Sequence, residues 1–103
     1  MVVPVSARAA LLQALMEGPG YGLDLIRRVK ERTKGRIVLG QASVYTQLRV
    51  LETNELLDVT EGEPKPGPGG RQRQYYKINA KGRQVALEHL AIIADLFGLV
   101  KRP

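Results

Sequence analysis

The chemistry available to this chain is that of hydrogen bonds and positive charge rather than of bond breaking. The sequence has no cysteine and one histidine, His89, which excludes thiolate zinc sites, cysteine nucleophiles and sites with several histidine ligands. Glu88 and Asp95 have no evident acid or base partner in the sequence. We therefore expect a binding protein, with no enzyme activity, no metal and no cofactor.

Neutral polar side chains gather on one side of a predicted helix that covers residues 41 to 54. Val44, Leu48 and Leu51 recur at helical spacing and predict its buried stripe. The candidate base-contacting residues on the opposite arc are Gln41, Ser43, Tyr45, Thr46 and Arg49. Side chains of these types can hydrogen bond to base edges in the major groove of DNA. The alternative is an ordinary solvated helix face, but such faces usually hold more lysine and glutamate.

Basic residues alternate along a second segment, residues 71 to 78, where the period changes from helical to extended. Tyr76 and Ile78 share the face that we predict to point inward, and the basic row shares the other. The glycine- and proline-rich residues 62 to 70 predict a hairpin tip. A basic hairpin of this kind can contact phosphates. The candidate phosphate-contacting residues are Arg71, Arg73 and Lys77.

Charge is unevenly distributed along the chain, which has 103 residues, a formal net charge of +6 and a pI near 10.0. Residues 71 to 83 hold five basic residues and no acid, whereas residues 52 to 63 hold five acids and no base. Segregation of this kind indicates a polyanionic partner, and we predict double-stranded DNA. No segment resembles a signal peptide or a membrane span, so we expect a cytoplasmic protein without membrane contact.

Two further helices precede the polar one. A helix from about residue 7 to residue 17 begins after the candidate N-cap Ser6 and ends at a Gly-Pro-Gly sequence, and a second one covers residues 22 to 33. In the second helix Leu23, Ile26 and Val29 predict the inward side. Three helices followed by a hairpin indicate a mainly α fold with a small β wing, that is, a winged helix-turn-helix.

The C-terminal helix is predicted from about residue 80 to residue 100, with Asn79 as its N-cap, and it is unusually apolar. Two neighbouring apolar seams run along it, which predicts burial on two sides: one against the first helix and one against a second copy. The seams alone do not decide which of them faces the partner. The candidate dimer-interface residues are Ala86, Leu90, Ile92, Ile93, Leu96, Phe97 and Val100. We therefore divide the chain into a DNA-binding domain, residues 1–79, and a dimerisation helix, residues 80–103.

Three stretches, in order, are similar to known motifs. Residues 18–25, GPGYGLDL, are similar to GPxYGYEL; residues 42–52, ASVYTQLRVLE, to GSIYPALRRLE; and residues 70–82, GRQRQYYKINAKG, to GRPRKYYxLTxxG. Together they make the chain resemble the PadR family of bacterial transcriptional regulators. The departures are Ala42, Thr46, Glu55, Gln72 and Asn79, which stand where the family has glycine, proline, glycine, proline and threonine.

The resemblance implies a homodimeric repressor that binds a palindromic operator and approaches DNA with Ser43, Tyr45 and the wing cations. It also implies that compact members bind planar apolar effectors between the first and last helices of the two subunits. In this sequence the corresponding residues are Leu11, Leu15, Ile93 and Phe97. Without tryptophan, Phe97 is the one large aromatic residue for such a site. Two alternatives stay open: a winged-helix module that docks proteins, and a protein that binds nucleic acid without sequence preference.

Overall fold

The computed structural model describes residues 5–64 and 72–99. Its elements are α1 (Ala7–Leu15), β1 (Gly20–Tyr21), α2 (Gly22–Arg32), α3 (Gln41–Thr53), β2 (Leu57–Pro64), β3 (Gln72–Ile78) and α4 (Ala80–Phe97). The predicted order of three helices, a hairpin and a last helix is confirmed. Arg71, Val100 and most of the predicted hairpin tip lie outside the described residues.

The core lies between the first three helices and the sheet. Its fully buried large side chains are Leu11 and Leu15 of α1, Leu25 of α2, and Val44, Leu48 and Leu51 of α3. The predicted inward stripe of α3 is therefore confirmed. In α2 the predicted phase was wrong for Leu23, which is 47% exposed. Leu25 and Val29, one helical turn apart, take the inward positions and leave Leu23 on the far side.

An arginine holds the turn between α1 and β1. The guanidinium of Arg28 donates to the backbone oxygens of Gly18 and Pro19 at 2.6 and 2.7 Å, and to that of Ala14 at 3.4 Å. Carbonyls at the end of a helix have no partner within the helix, and Arg28 supplies one. The other end of α1 begins as predicted, with the Ser6 hydroxyl accepting from the Ala9 amide at 3.1 Å.

The sheet has three antiparallel strands in the order β1-β3-β2, where the sequence predicted a two-stranded hairpin. The added strand is the two-residue β1, in which Tyr21 pairs with Tyr75 and Gly20 with Tyr76. Tyr76 and Ile78 are buried, as their alternation predicted. Tyr21 lies on the outward face of this sheet, and its ring contacts that of Tyr75.

The turn from α3 into β2 places Glu55 in the left-handed region, at φ 62°. The family motif has glycine at this position, and the structure keeps the glycine conformation with a larger residue. Asn79 supports the turn, because its Nδ2 donates to the Glu55 carbonyl at 2.8 Å. The Oδ1 of Asn79 also accepts from the Gly82 amide at 2.8 Å and caps α4, as predicted.

Only the first part of α4 packs on the domain. Gly82 and Ala86 are its buried residues, and the Ala86 carbonyl accepts from Gln13 Nε2 of α1 at 3.0 Å. Ala86 is 0% exposed, so its assignment to the dimer interface was wrong: it belongs to the chain's own core. Leu11 and Leu15 are likewise fully buried, so neither can line an open effector pocket.

The second part of α4 projects large apolar side chains that the described residues do not cover. They are exposed by 47% to 71%: Leu87, Leu90, Ile92, Leu96 and Phe97. The helix ends at Phe97, where Gly98 adopts the left-handed conformation that terminates helices. No helix within residues 5–64 and 72–99 is long and apolar enough to cross a membrane.

Replacing Glu55 by glycine is expected to raise the free energy of unfolding by about 0.5–1 kcal/mol. Glycine removes the side-chain penalty of the left-handed conformation, and its greater freedom in the unfolded chain offsets part of that gain. The measurement is urea denaturation at fixed protein concentration. Glu55→Ala is the control, because it removes the same carboxylate but keeps the backbone penalty. An equal change in both variants would contradict the backbone explanation.

Candidate nucleic-acid interface

The outward face of α3 is open along its N-terminal half. Gly40 precedes the helix in extended conformation, and the side chains of Gln41 and Ser43 are exposed. Thr46 is exposed as well, and its hydroxyl donates to the Ala42 carbonyl at 3.0 Å. The hydroxyl proton of Thr46 is thus used within the helix, which leaves its oxygen to accept a hydrogen bond from a ligand. This face offers neutral donors and acceptors to a partner.

Tyr45 lies on the same face, but the rest of the fold fixes its ring. A Cβ placed on Gly22 would lie 2.7 Å from Tyr45 Cε1 and 2.8 Å from its hydroxyl oxygen. The first residue of α2 must therefore be glycine for the ring to rest there. Tyr45 remains 42% exposed, so its outer edge is available to a partner while its position is set by α2.

The wing presents its cations unequally. Lys77 of β3 is exposed, as predicted for the outward row. Arg73 is on the same face, but it is partly buried, and its guanidinium carbon lies 4.3 Å from the centroid of the Tyr21 ring. The Tyr21 and Tyr75 rings meet edge to face at 5.0 Å. Of the three predicted phosphate contacts, Lys77 is exposed and Arg73 lies against an aromatic ring, while Arg71 lies outside the described residues.

Several other cations of the chain already have partners. Arg27 pairs with Asp24 at 3.2 Å, and Arg32 pairs with Glu17 at 3.3 Å. These pairs are exposed and contribute little to stability. Three further cations, which the sequence analysis did not assign, are exposed at the end of α2 and in the connection to α3: Lys30, Lys34 and Arg36. Their position directly before the recognition helix could have identified them as phosphate contacts.

Tyr76 lies beneath this surface, near the residues of α3 that point toward the wing. Burial raises the pKa of its phenol, and the neighbouring Tyr45 and Glu52 raise that pKa further, while Arg49 lowers it. The uncharged phenol is therefore the form that this environment accepts. Arg49 itself is exposed and remains available to a partner.

Two open clefts border α1, and His89 of α4 lines both. One has a volume of about 280 Å³ and includes Gln13, Arg32 and Thr33, and the other, of about 250 Å³, includes Arg8. Within the described residues the Nδ1 of His89 is enclosed and has no hydrogen-bond partner. The same residues hold no cluster of three or more metal-ligating side chains.

A family model, that of the transcriptional regulator PadR-like family, matches residues 11–88 of this chain. The match covers all three motifs in full. It begins within α1 and ends within α4. The chain belongs to the PadR-like family of transcriptional regulators. Members of that family are transcriptional regulators, and the winged-helix architecture predicted from the sequence is confirmed.

Solved structures share this PadR-like fold. The X-ray structure of a PadR-like transcription factor from Bacteroides fragilis is 27% identical, with a TM-score of 0.74 over 89% of this chain and 84% of that one. A transcriptional regulator from Clostridium thermocellum is 20% identical, with a TM-score of 0.72 over 97% and 100% of the two chains. An uncharacterised protein from Lysinibacillus sphaericus is 25% identical over 73 residues, and the match spans 64% of its length.

The raised pKa of Tyr76 makes a pH-dependent prediction for this PadR-like regulator. The unfolded chain loses the phenol proton near pH 10 and the folded chain at higher pH. Stability from this group is therefore complete below about pH 10 and declines as pH rises through the folded pKa. We expect the difference in unfolding free energy between the wild type and Tyr76→Phe to fall between about pH 9 and pH 11. A difference that stays constant would contradict the prediction.

Proposed function

We propose that this PadR-like regulator binds double-stranded DNA with sequence preference, as a homodimer that represses transcription from a palindromic operator. The observation that carries the proposal is the exposed N-terminal face of α3, with its neutral donors and acceptors next to a cationic wing. A helix of this kind fits the major groove, where each base pair presents a distinct pattern of donors and acceptors. Membership of the PadR-like family supports the same reading.

Base contacts are assigned to the open residues of α3. Gln41 at the tip can form paired hydrogen bonds with adenine, and Arg49 can do so with guanine. Ser43 can donate to or accept from either type of base edge, and the Thr46 oxygen can accept from a donor on a base edge. Tyr45 contributes its exposed ring edge. Because only Arg49 is charged among these residues, the face is better suited to reading bases than to neutralising phosphates.

Phosphate contacts are assigned to cations beside that face. Lys77 is exposed on β3, and Lys34 and Arg36 are exposed in the connection before α3. Arg71 stays a predicted contact. The net charge of +6 is in keeping with a partner that is a polyanion.

A second copy is the proposed partner of the open part of α4. The uncovered side chains recur along that part of the helix, and Leu96 is 71% exposed. Burying one large apolar side chain contributes about 2 kcal/mol, so several of them on each of two helices favour self-association. A twofold dimer would present two copies of α3 to half-sites about 34 Å apart, which is the geometry of a palindromic operator. Leu90, Ile92 and Phe97 belong to the same surface.

Release by a small apolar effector is the remaining part of the proposal. Ile93 and Phe97 stay candidates for its site, since both are at least partly exposed. Ala9 of α1 and His89 of α4 border both open clefts, and they take the place of the buried leucines first assigned. A ligand seated between two copies of α4 could change the separation of the two recognition helices.

The first test is fluorescence anisotropy on DNA from upstream of the protein's own gene and on scrambled DNA of equal length, over a salt series. We expect tighter binding to the natural sequence and a steep salt dependence on both. Lys77→Gln should reduce the slope of log K against log salt by about 1.8 on both duplexes, because each dimer loses two phosphate contacts. Gln41→Ala should weaken binding to the natural sequence alone, by about 1–3 kcal/mol.

The other outcomes each identify an alternative. Equal binding to both duplexes would reject the sequence preference and indicate a non-specific nucleic-acid-binding protein. No binding at low salt would reject DNA as the partner and favour the protein-docking module.

Leu96→Asp is expected to convert the dimer into a monomer, because a carboxylate buried in an apolar interface without a partner is strongly unfavourable. Analytical ultracentrifugation measures the change. Leu23→Asp is the matched control: Leu23 is also exposed, but it lies on α2, so that variant should remain a dimer. A monomeric wild type, or an equal effect of both substitutions, would contradict the assignment of the interface to α4.

A further inference from the structure

The Tyr21 ring reaches across the outward face of the sheet. Its strand pairs with β3, with Tyr21 opposite Tyr75, yet a Cβ placed on Gly62 of β2 would overlap the Tyr21 ring. The side chain therefore extends from an edge strand over the central strand to the far one. Any residue larger than glycine at position 62 would displace it.

Arg73 contacts the same ring. Its guanidinium carbon is 4.3 Å from the ring centroid, within the range of a cation–π interaction. Its Nε is enclosed and has no hydrogen-bond partner within the described residues. The ring thus holds the guanidinium against the sheet. Together, Tyr21, Gly62 and Arg73 form what we call the Tyr21 clamp.

The residue after Tyr21 makes the second connection. Gly22 begins α2, and the Tyr45 ring of α3 lies directly against it. The Tyr21 backbone amide also donates to Asp24 Oδ2 at 2.9 Å, which fixes the first turn of α2. Two consecutive residues thus contact the wing on one side and the recognition helix on the other.

We propose that Tyr21 is a positioning residue for DNA binding: through Gly62 and Arg73 it fastens the wing to the start of α2, against which Tyr45 of the recognition helix rests. Arg73 then acts by holding the wing and not by neutralising a phosphate, and Lys77 is the phosphate-contacting cation of β3. The inference rests on the proposed DNA-binding function.

The clamp has a direct consequence for affinity. A wing that is fixed relative to α3 can contact DNA together with that helix without first losing conformational freedom. If the clamp is opened, the charges on the wing remain but their position relative to the groove is no longer set. Affinity should fall on every duplex, while the number of phosphates neutralised by the bound protein stays the same.

The clamp itself can be observed without DNA. In NMR spectra of the wild-type protein, the δ-methylene protons of Arg73 should be shifted upfield by the ring current of Tyr21. The shift should be lost in Tyr21→Leu and Gly62→Ala and retained in Tyr21→Phe, which keeps the ring. An unshifted Arg73 in the wild type would overturn the proposal whatever the protein binds.

The role in DNA binding is tested by anisotropy over a salt series with the same variants. Tyr21→Leu, Gly62→Ala and Arg73→Gln should each lower affinity by about three- to tenfold, the range expected for one cation–π contact, with the wild-type salt slope. Tyr21→Phe, which keeps the ring, should retain most of the wild-type affinity. Tyr21→Leu combined with Arg73→Gln should lose no more than the larger single change. Lys77→Gln is the comparator, with a slope lower by about 1.8 because each dimer loses two phosphate contacts.

The outcomes separate this inference from the function on which it rests. If Arg73→Gln lowers the slope as Lys77→Gln does, and its loss adds to that of Tyr21→Leu, Arg73 contacts phosphate and the positioning role is rejected while DNA binding stands. If the ring-current shift is present but the wild type binds no DNA, the clamp exists, and both the proposed function and the role of the clamp in it are rejected.

Discussion

The three hydrogen bonds of the Arg28 guanidinium are the constraint on which the side of the molecule that holds α3 and the wing depends. They collect backbone oxygens from the end of α1 and from the following turn. Hydrogen bonds to a charged group contribute about 1.5–3 kcal/mol each when well made, so this group outweighs the exposed ion pairs nearby. By fixing the turn, Arg28 decides where Gly20 meets β3. It therefore also decides where Tyr21 and Gly22 lie.

The small size of the domain explains the uneven packing of α4. A chain of 103 residues has a limited interior, and the helices α1 to α3 fill it with six fully buried side chains. What remains for α4 is one shallow seat, where only the small residues Gly82 and Ala86 fit. The apolar residues beyond that seat have nothing to contact within one chain. The packing that keeps α1 to α3 compact therefore leaves an apolar surface on α4 that is suited to a second copy.

Periodicity predicted most of the fold, because each signal repeats over a whole element: the buried stripe of α3 and the alternation that buries Tyr76 and Ile78. Single cap residues predicted where α1 and α4 begin. Four features escaped it for physical reasons. β1 has two residues and so no period, and Leu23 differs from Leu25 only in helical phase. Ala86 belongs to an apolar repeat along α4, and that repeat looks the same whether the residue packs within its own chain or against a second copy. The Tyr21–Arg73 contact joins residues 52 positions apart, so no local pattern predicts it. Periodicity predicted that the outer face of α3 and Lys77 are exposed, but not that Arg73 packs against a ring, and the DNA contacts themselves stay predictions.

Two of the departures from the PadR motifs compensate each other in space. Glu55 in place of glycine must adopt the left-handed conformation at φ 62°, which costs a residue with a Cβ about 1–2 kcal/mol. Asn79 in place of threonine donates from its amide nitrogen to the Glu55 carbonyl at 2.8 Å. Threonine could cap α4 equally well through its hydroxyl oxygen, but that one oxygen is its sole polar side-chain atom, whereas asparagine makes the two contacts with separate atoms, Oδ1 and Nδ2. The hydrogen bond from Asn79 thus offsets part of the conformational free energy that Glu55 costs. The recognition helix, α3, ends where the family's glycine would end it.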